Sequence, residues 1–191
     1  NESIGDNMSI ENAIFKRKSS VNFSNEIITD DEIKKIVEAS KWAPSSRNNQ
    51  PWRIIAVTNK SKNFSDLIEA LSEGNQVWAK NSGLILVFCT NEFESEFNPE
   101  KFLEIGFAGQ NAMLMSTELG LETHPIWAED EEKVKELLLI PNNSKVAFLL
   151  VIGKKGDEKK LSKDLLSRNN KNRSRNGTEE DFNFDSWGDK F

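Results

Sequence analysis

The chain contains no tyrosine, one histidine and one cysteine among its 191 residues. Each scarcity excludes something. The single thiol, Cys89, leaves no internal disulfide open, and no Cys/His spacing resembles a metal-binding pattern. Cys89 lies in the apolar run 84–89 and reads as a small core residue rather than a reactive thiol. With His124 the only imidazole and no phenol, the usual proton-transfer and nucleophilic groups are scarce. If the chain is an enzyme, a bound cofactor is expected to carry its chemistry. Neither a GxGxxG turn after a strand nor a Walker loop is present. Basic excess is also lacking: 25 Lys and Arg stand against 31 Asp and Glu, a formal charge of -6. That balance argues against a general nucleic-acid role, although a local basic cluster could still hold one phosphate group. No apolar run approaches the roughly 20 residues that span a bilayer, and residues 1–7 are polar, unlike a signal peptide. A cytoplasmic protein is expected, with residues 1–8 a disordered or non-native N-terminal extension reaching to Met8.

What is present fits one core. A chain of this length is too short for two comfortable domains. Ser9 can cap a short helix reaching about Arg17. Thr29-Asp30-Asp31-Glu32 reads as a capping box; Ile33, Ile36, Val37 and Ser40 then share one helical face, and Pro44 stops the helix near Trp42. Residues 53–58 and 84–90 read as strands, and 62–72 as a helix. Residues 92–98 read as a loop or lid. Asn98-Pro99 opens the longest helix, which Gly120 ends. Its middle, 105–115, is apolar on nearly every face, as in a helix buried at a core or a dimer interface. A short strand over 123–127, a helix over 130–138 and a strand over 145–152 follow. Residues 9–153 thus form the main body. Residues 154–191 are a polar tail with spaced aromatics, too poor in apolar residues to fold alone, and expected to stay mobile or wrap onto something.

Three polar clusters remain once the core is assigned. Lys16-Arg17-Lys18-Ser19-Ser20 offers three cations and two hydroxyls to a phosphate, or merely complements a helix dipole. Residues 44–52 (PSSRNNQPW) fix amides and hydroxyls between two prolines, suiting the edge of a planar ligand; an ordinary polar turn has the same composition. Residues 168–175 (RNNKNRSR) form a basic patch in an acidic chain, which is either an anion site or a solvated charge run.

The order of these clusters resembles the nitroreductase family. Ala13-Ile14-x-x-Arg17-Lys18-Ser19-x-x-x-Phe23 is similar to that family's N-terminal segment, and Pro44-Ser45-Ser46-x-Asn48-x-Gln50-Pro51-Trp52 to its most specific motif. Gly74-Asn75-Gln76-x-Trp78, Gly120-Leu121-x-Thr123-His124-Pro125-Ile126 and Arg173-x-Arg175 with Glu179-Glu180 and Trp187 follow in the same order, so the match spans about residues 10–188. The resemblance implies an α+β fold with a central, mainly antiparallel sheet flanked by helices. It also implies a homodimer with FMN in the subunit interface, the arm 154–191 embracing the partner, and NADH or NADPH as electron donor. Carried over, Arg17, Lys18, Ser19, Arg173 and Arg175 would hold the FMN phosphate and ribityl chain. Ser45, Ser46 and Asn48 of the other subunit would line the isoalloxazine ring, Asn75 would bond its pyrimidine edge, and Pro125 with its neighbours would cover one face. A ping-pong transfer of hydride through flavin N5 to a quinone, nitroaromatic or similar acceptor is implied, with no membrane or nucleic-acid partner. Such chemistry needs position and electrostatics from the protein rather than catalytic side chains.

Two positions depart from the family. Val21 stands where a cation near flavin N1 and O2 is common, which should make the flavin harder to reduce; Arg47 or Lys80 could compensate. Ala128 stands where relatives tend to have glycine. His124 is expected to act in structure or ring packing, while Trp127 and the segment 93–102 could shape an acceptor pocket. The alternatives are a flavin-storage protein with little turnover, a specialised reaction such as reductive dehalogenation or flavin destruction, and a plain interaction module.

Overall fold

The computed structural model describes residues 9–91 and 98–189. The N-terminal extension 1–8 and most of the expected lid, 92–97, lie outside the described residues.

Local chemistry explains the helices. Helix α1 (Ile10–Lys16) is capped by Ser9, whose side chain accepts from the Asn12 N–H. Helix α2 (Asp30–Lys41) starts at a complete capping box between Thr29 and Glu32 and ends at Trp42. The apolar spacing over 62–72 gives one helix, α3 (Phe64–Glu69), shorter than expected; after a turn it is followed by α4 (Glu73–Ala79), which the sequence reading does not include. The break falls at Ala70–Leu71, whose N–H groups bond back three residues to Leu67 and Ile68 and tighten the last turn. Helix α5 (Pro99–Glu118) begins as expected, with the Asn98 side chain accepting from the N–H groups of Glu100 and Lys101 and proline in the first turn. Gly120 ends it at φ +75°, a conformation only glycine adopts without strain. Helix α6 (Glu131–Leu138) is capped by Asp130, and α7 (Lys163–Asn169) by Ser162. A final short turn, α8, covers Thr178–Asp181.

Four strands, β1 (Trp52–Thr58), β2 (Leu84–Thr90), β3 (Glu122–Ile126) and β4 (Val146–Gly153), form one sheet in the order β1-β2-β4-β3, every pair antiparallel. The α+β class with a mainly antiparallel sheet is therefore as expected. The central strands are buried on both faces. Ile85, Val87, Cys89, Leu149 and Val151 face one core with Trp78, Leu67 and Leu165. Leu84, Leu86, Phe88, Leu150 and Ile152 face another with Ile36, Ile105, Ala108 and Ala112. Register slips between Phe88 and Cys89, where a bulge re-aims the end of β2. Cys89 is buried, and its thiol is pushed up to about 12, chiefly by burial and then by Glu131. It behaves as core, not as a nucleophile.

Helix α5 buries only one face in the single chain. Ile105, Ala108, Gly109, Ala112 and Ser116 pack inward, while Leu103 and Phe107 stay 59% and 41% exposed. Ile10, Ile14 and Phe15 on α1 and Phe182, Phe184 and Trp187 of the tail are also exposed. The first part of the tail packs on the chain's own body through Leu165 and Asn169, whereas none of residues 170–189 is buried.

Candidate functional site

The segment after α1 is laid along the sheet edge. Ser20 N–H donates to the Thr123 carbonyl at 2.9 Å, and Ser19 bridges Thr123 in parallel. This fixes Arg17, Lys18 and Ser19 at the mouth of a cavity of about 590 Å³. The tail supplies the opposite wall, residues 168–173 and Arg175. Six cations line this space, namely Arg17, Lys18, Arg168, Lys171, Arg173 and Arg175, and among the described lining residues there is no carboxylate. The cations repel one another: the Arg17 guanidinium is held below its ordinary value by burial first, then by Arg173 and Arg175. Arg173 donates to the carbonyls of Arg17 and Phe15, orphan acceptors at the end of α1. Two of its five N–H donors are thus committed to holding the tail on α1, and the rest remain for a ligand.

This cluster joins Arg17, Lys18, Ser19, Arg173 and Arg175, five of the residues picked out from the sequence. Arg168, Asn169, Asn170 and Lys171 complete it. These belong to the basic patch 168–175 noted in the sequence, and the end of α7, capped by Ser162, carries them to the cavity.

Ser45, Ser46 and Asn48 lie elsewhere. Ser45 precedes and Ser46 and Asn48 belong to a short 3-10 turn after α2; Arg47 and Asn48 within it and Gln50 just beyond take positive φ values of 52°, 57° and 48°. Such conformations cost free energy outside glycine and persist only where surroundings enforce them. Here Ser46 N–H donates to Glu104 Oε1 at 2.7 Å, Gln50 N–H to Ser45 Oγ at 3.1 Å, and Asn91 Nδ2 to the Gln50 carbonyl at 3.3 Å. Glu104 sits in the second turn of α5, whereas Lys16, Arg17 and Lys18 flank Thr117 and Gly120 at its other end. Thirteen residues of helix put the two clusters about 20 Å apart within one chain.

Asn75 is half-buried in the first turn of α4, and Pro125 is half-buried on β3. The elements carrying them are tied together by a stack of rings. Trp78 lies 4.5 Å from His124 at 22°, and 5.9 Å from Phe23 at 30°. His124 Nδ1–H donates to the Ser20 carbonyl at 2.7 Å. Burial lowers the His124 pKa, Arg168 and Arg17 lower it further, and the Ser20 bond opposes them. The imidazole is a neutral packing element, as the sequence led us to expect. Val21 is buried in the core, Ala128 packs against that core, and Lys80, Arg47 and Trp127 are exposed.

A phosphate dianion fits the six-cation cavity, because no carboxylate among its described lining residues balances those charges.

The nitroreductase family model matches residues 14–83 and 61–154. A protein of Archaeoglobus fulgidus, whose name proposes an NADH dehydrogenase or NAD(P)H nitroreductase, is 30% identical over 153 residues, covering 76% of this chain and 85% of that protein. An NADPH-flavin oxidoreductase of Vibrio harveyi is 30% identical over 154 residues, 73% of this chain and 63% of its own length. A crystal structure described as an oxidoreductase containing FMN superimposes with a TM-score of 0.82 at 24% identity, over 100% of this chain and 96% of that one. A nitroreductase family protein of Clostridium novyi gives 0.70 at 27%, over 96% and 97%.

Proposed function

The chain belongs to the nitroreductase family, and we propose that it serves as an FMN-dependent oxidoreductase passing a hydride from NADH or NADPH to a quinone, nitroaromatic or similar small electrophile. Membership makes it an NAD(P)H-dependent oxidoreductase with FMN as cofactor; the acceptor class, the residue roles and the subunit arrangement are our reading. The observation that carries it is the cavity with six cations and no described carboxylate. FMN, when bound, supplies hydride acceptance and release at N5, donor and acceptor using the same place in turn.

The protein's own residues bind and orient. Arg17, Lys18, Ser19, Arg175 and the remaining donors of Arg173 would hold the phosphate, and Asn75 and Pro125 would meet the ring. His124 is neutral and its Nδ1 proton is committed to Ser20, so it is no proton donor from that atom. Ser45, Ser46 and Asn48 would reach the flavin from the partner of a homodimer. Two α5 helices crossing antiparallel about a two-fold would bring one chain's Glu104 end beside the other's Thr117 end. The same contact would cover Leu103, Phe107 and the exposed face of α1. The tail segment 171–189 would then lie on that partner, burying Phe182, Phe184 and Trp187.

The test is a visible spectrum of the purified protein before and after NADH or NADPH without oxygen. A yellow protein that bleaches supports the reading. A colourless protein that does not take up FMN overturns it. A yellow protein that stays oxidised selects the second reading, a flavin-binding protein with little turnover. Val21 favours that one, since it leaves no cation at its position to stabilise an anionic reduced flavin.

A further inference from the structure

The cations of the tail are only as well placed as the point where the tail leaves the body. That point is Asn169, the last buried residue before 170–189. Its Oδ1 accepts from Ser20 Oγ–H at 3.1 Å and from Val21 N–H at 3.3 Å, and its Nδ2 donates to Asn170 Oδ1 at 3.2 Å. Ser20 is in turn fully committed. Its N–H bonds Thr123, its carbonyl takes the His124 proton, and its hydroxyl accepts from Asn22 N–H. One side chain thus fastens the tail to the strand-edge segment that carries Arg17, Lys18 and Ser19.

Resting on the FMN reading above, we propose that Asn169 is a positioning residue that sets the phosphate grip, holding the Arg168–Arg175 wall at a fixed distance from the Arg17–Ser19 wall. The side chain lies in the rim of the cavity but is turned to Ser20 and Val21. Its role is to keep mutually repelling cations converged on one anion. Without it the wall beyond α7 loses its tie to Ser20 and Val21 and leans on the Arg173 side-chain bonds to α1, against the repulsion among the arginines.

Because only the phosphate end is governed, the decisive readout is discrimination between FMN and riboflavin, which lacks the phosphate. Flavin fluorescence titrations at fixed ionic strength would compare wild type, Asn169→Ala and Ser20→Ala. Asn169→Ala is expected to weaken FMN about tenfold and riboflavin less than about twofold, an unpaired buried group being worth roughly one factor of ten. Ser20→Ala, which deletes one of the two bonds to Oδ1, is expected to weaken FMN about threefold with riboflavin unchanged. Equal losses for both ligands, or no loss for either, overturn the proposal. If Asn169→Ala does not fold, Ser20→Ala decides alone: an unchanged FMN-to-riboflavin ratio overturns it. A wild type that binds riboflavin and FMN equally removes the phosphate grip itself, and one that binds neither overturns the FMN reading and this inference with it.

Discussion

The imidazole of His124 is locked to the backbone of Ser20 by a 2.7 Å hydrogen bond from Nδ1, while its ring stacks on Trp78. Burial holds its pKa below the ordinary value. The folded state therefore resists a proton that the unfolded chain accepts at about pH 6.5. Its stabilising contribution is complete above that pH and is lost as pH falls through and below it. Urea midpoints measured from pH 7.5 to 5 should decline in the wild type. His124→Gln, which can still donate to Ser20 but does not titrate, should be flatter over the same window. A variant as steep as the wild type would place the sensitivity elsewhere.

Arg17 sits among like charges with no described acid in the cavity to balance them. The apo protein should thus gain from an anion. FMN at a hundred times its dissociation constant is expected to add about 2.7 kcal/mol, a rise of roughly 5–10 °C in melting temperature for a chain of this size. Stripping the flavin should reverse that rise. Arg17→Ala should leave the apo melting temperature unchanged or higher, since it relieves repulsion, yet shrink the gain from FMN. Thermal scans with and without FMN separate the two effects.

Helix α5 meets the sheet at Gly109 with no room for a side chain. A methyl group there would fall on the Phe148 ring, which is itself stacked on Phe88 at 4.6 Å. Gly109→Ala is expected to destabilise the protein by about 1–3 kcal/mol. Adding Phe148→Leu should recover part of the loss by removing the obstructing ring edge. Denaturant melts of the single and double variants test this, and additive losses would contradict it.

Legibility in the sequence followed the range of the interaction. The Thr29–Glu32 capping box, the Asn98-Pro99 start and Gly120 stop of α5, and the strand runs of β1, β2 and β4 are local signals, and each appears in the fold. Helix α4 was not legible, because its first turn, Glu73-Gly74-Asn75-Gln76, is polar and it buries only Trp78 and Ala79. Helix α7 was hidden in a charged tail in which, among the described residues, only Leu165 and Asn169 are buried. The order β1-β2-β4-β3 rests on pairings between distant residues that no local pattern records. At the site, residue types left both basic clusters open between an anion site and a solvated charge run. The convergence of Arg17 with Arg173 and Arg175 across more than 150 positions came only from the family resemblance and from the fold.

The separation of the Ser46–Glu104 contact from the Arg17 cluster, about 20 Å along α5, sets the last prediction. If each flavin takes its phosphate grip from one chain and its ring contacts from the other, lesions in the two clusters must complement. Arg17→Ala and Asn48→Ala homodimers should each bind FMN weakly, because every site carries one lesion. In an equal mixture of the two, unfolded and refolded together, half the dimers pair unlike chains. In those, one site collects both lesions and the other collects none. About a quarter of all sites should then recover wild-type affinity, as random pairing in a two-fold dimer requires. A titration would resolve this as a tight phase at one quarter of the sites. Within a site built from a single chain, mixing moves no lesion away from any other, so the absence of a tight phase would exclude the shared arrangement. Sedimentation of the mixture guards the inference, since refolded dimers are needed for either outcome to count.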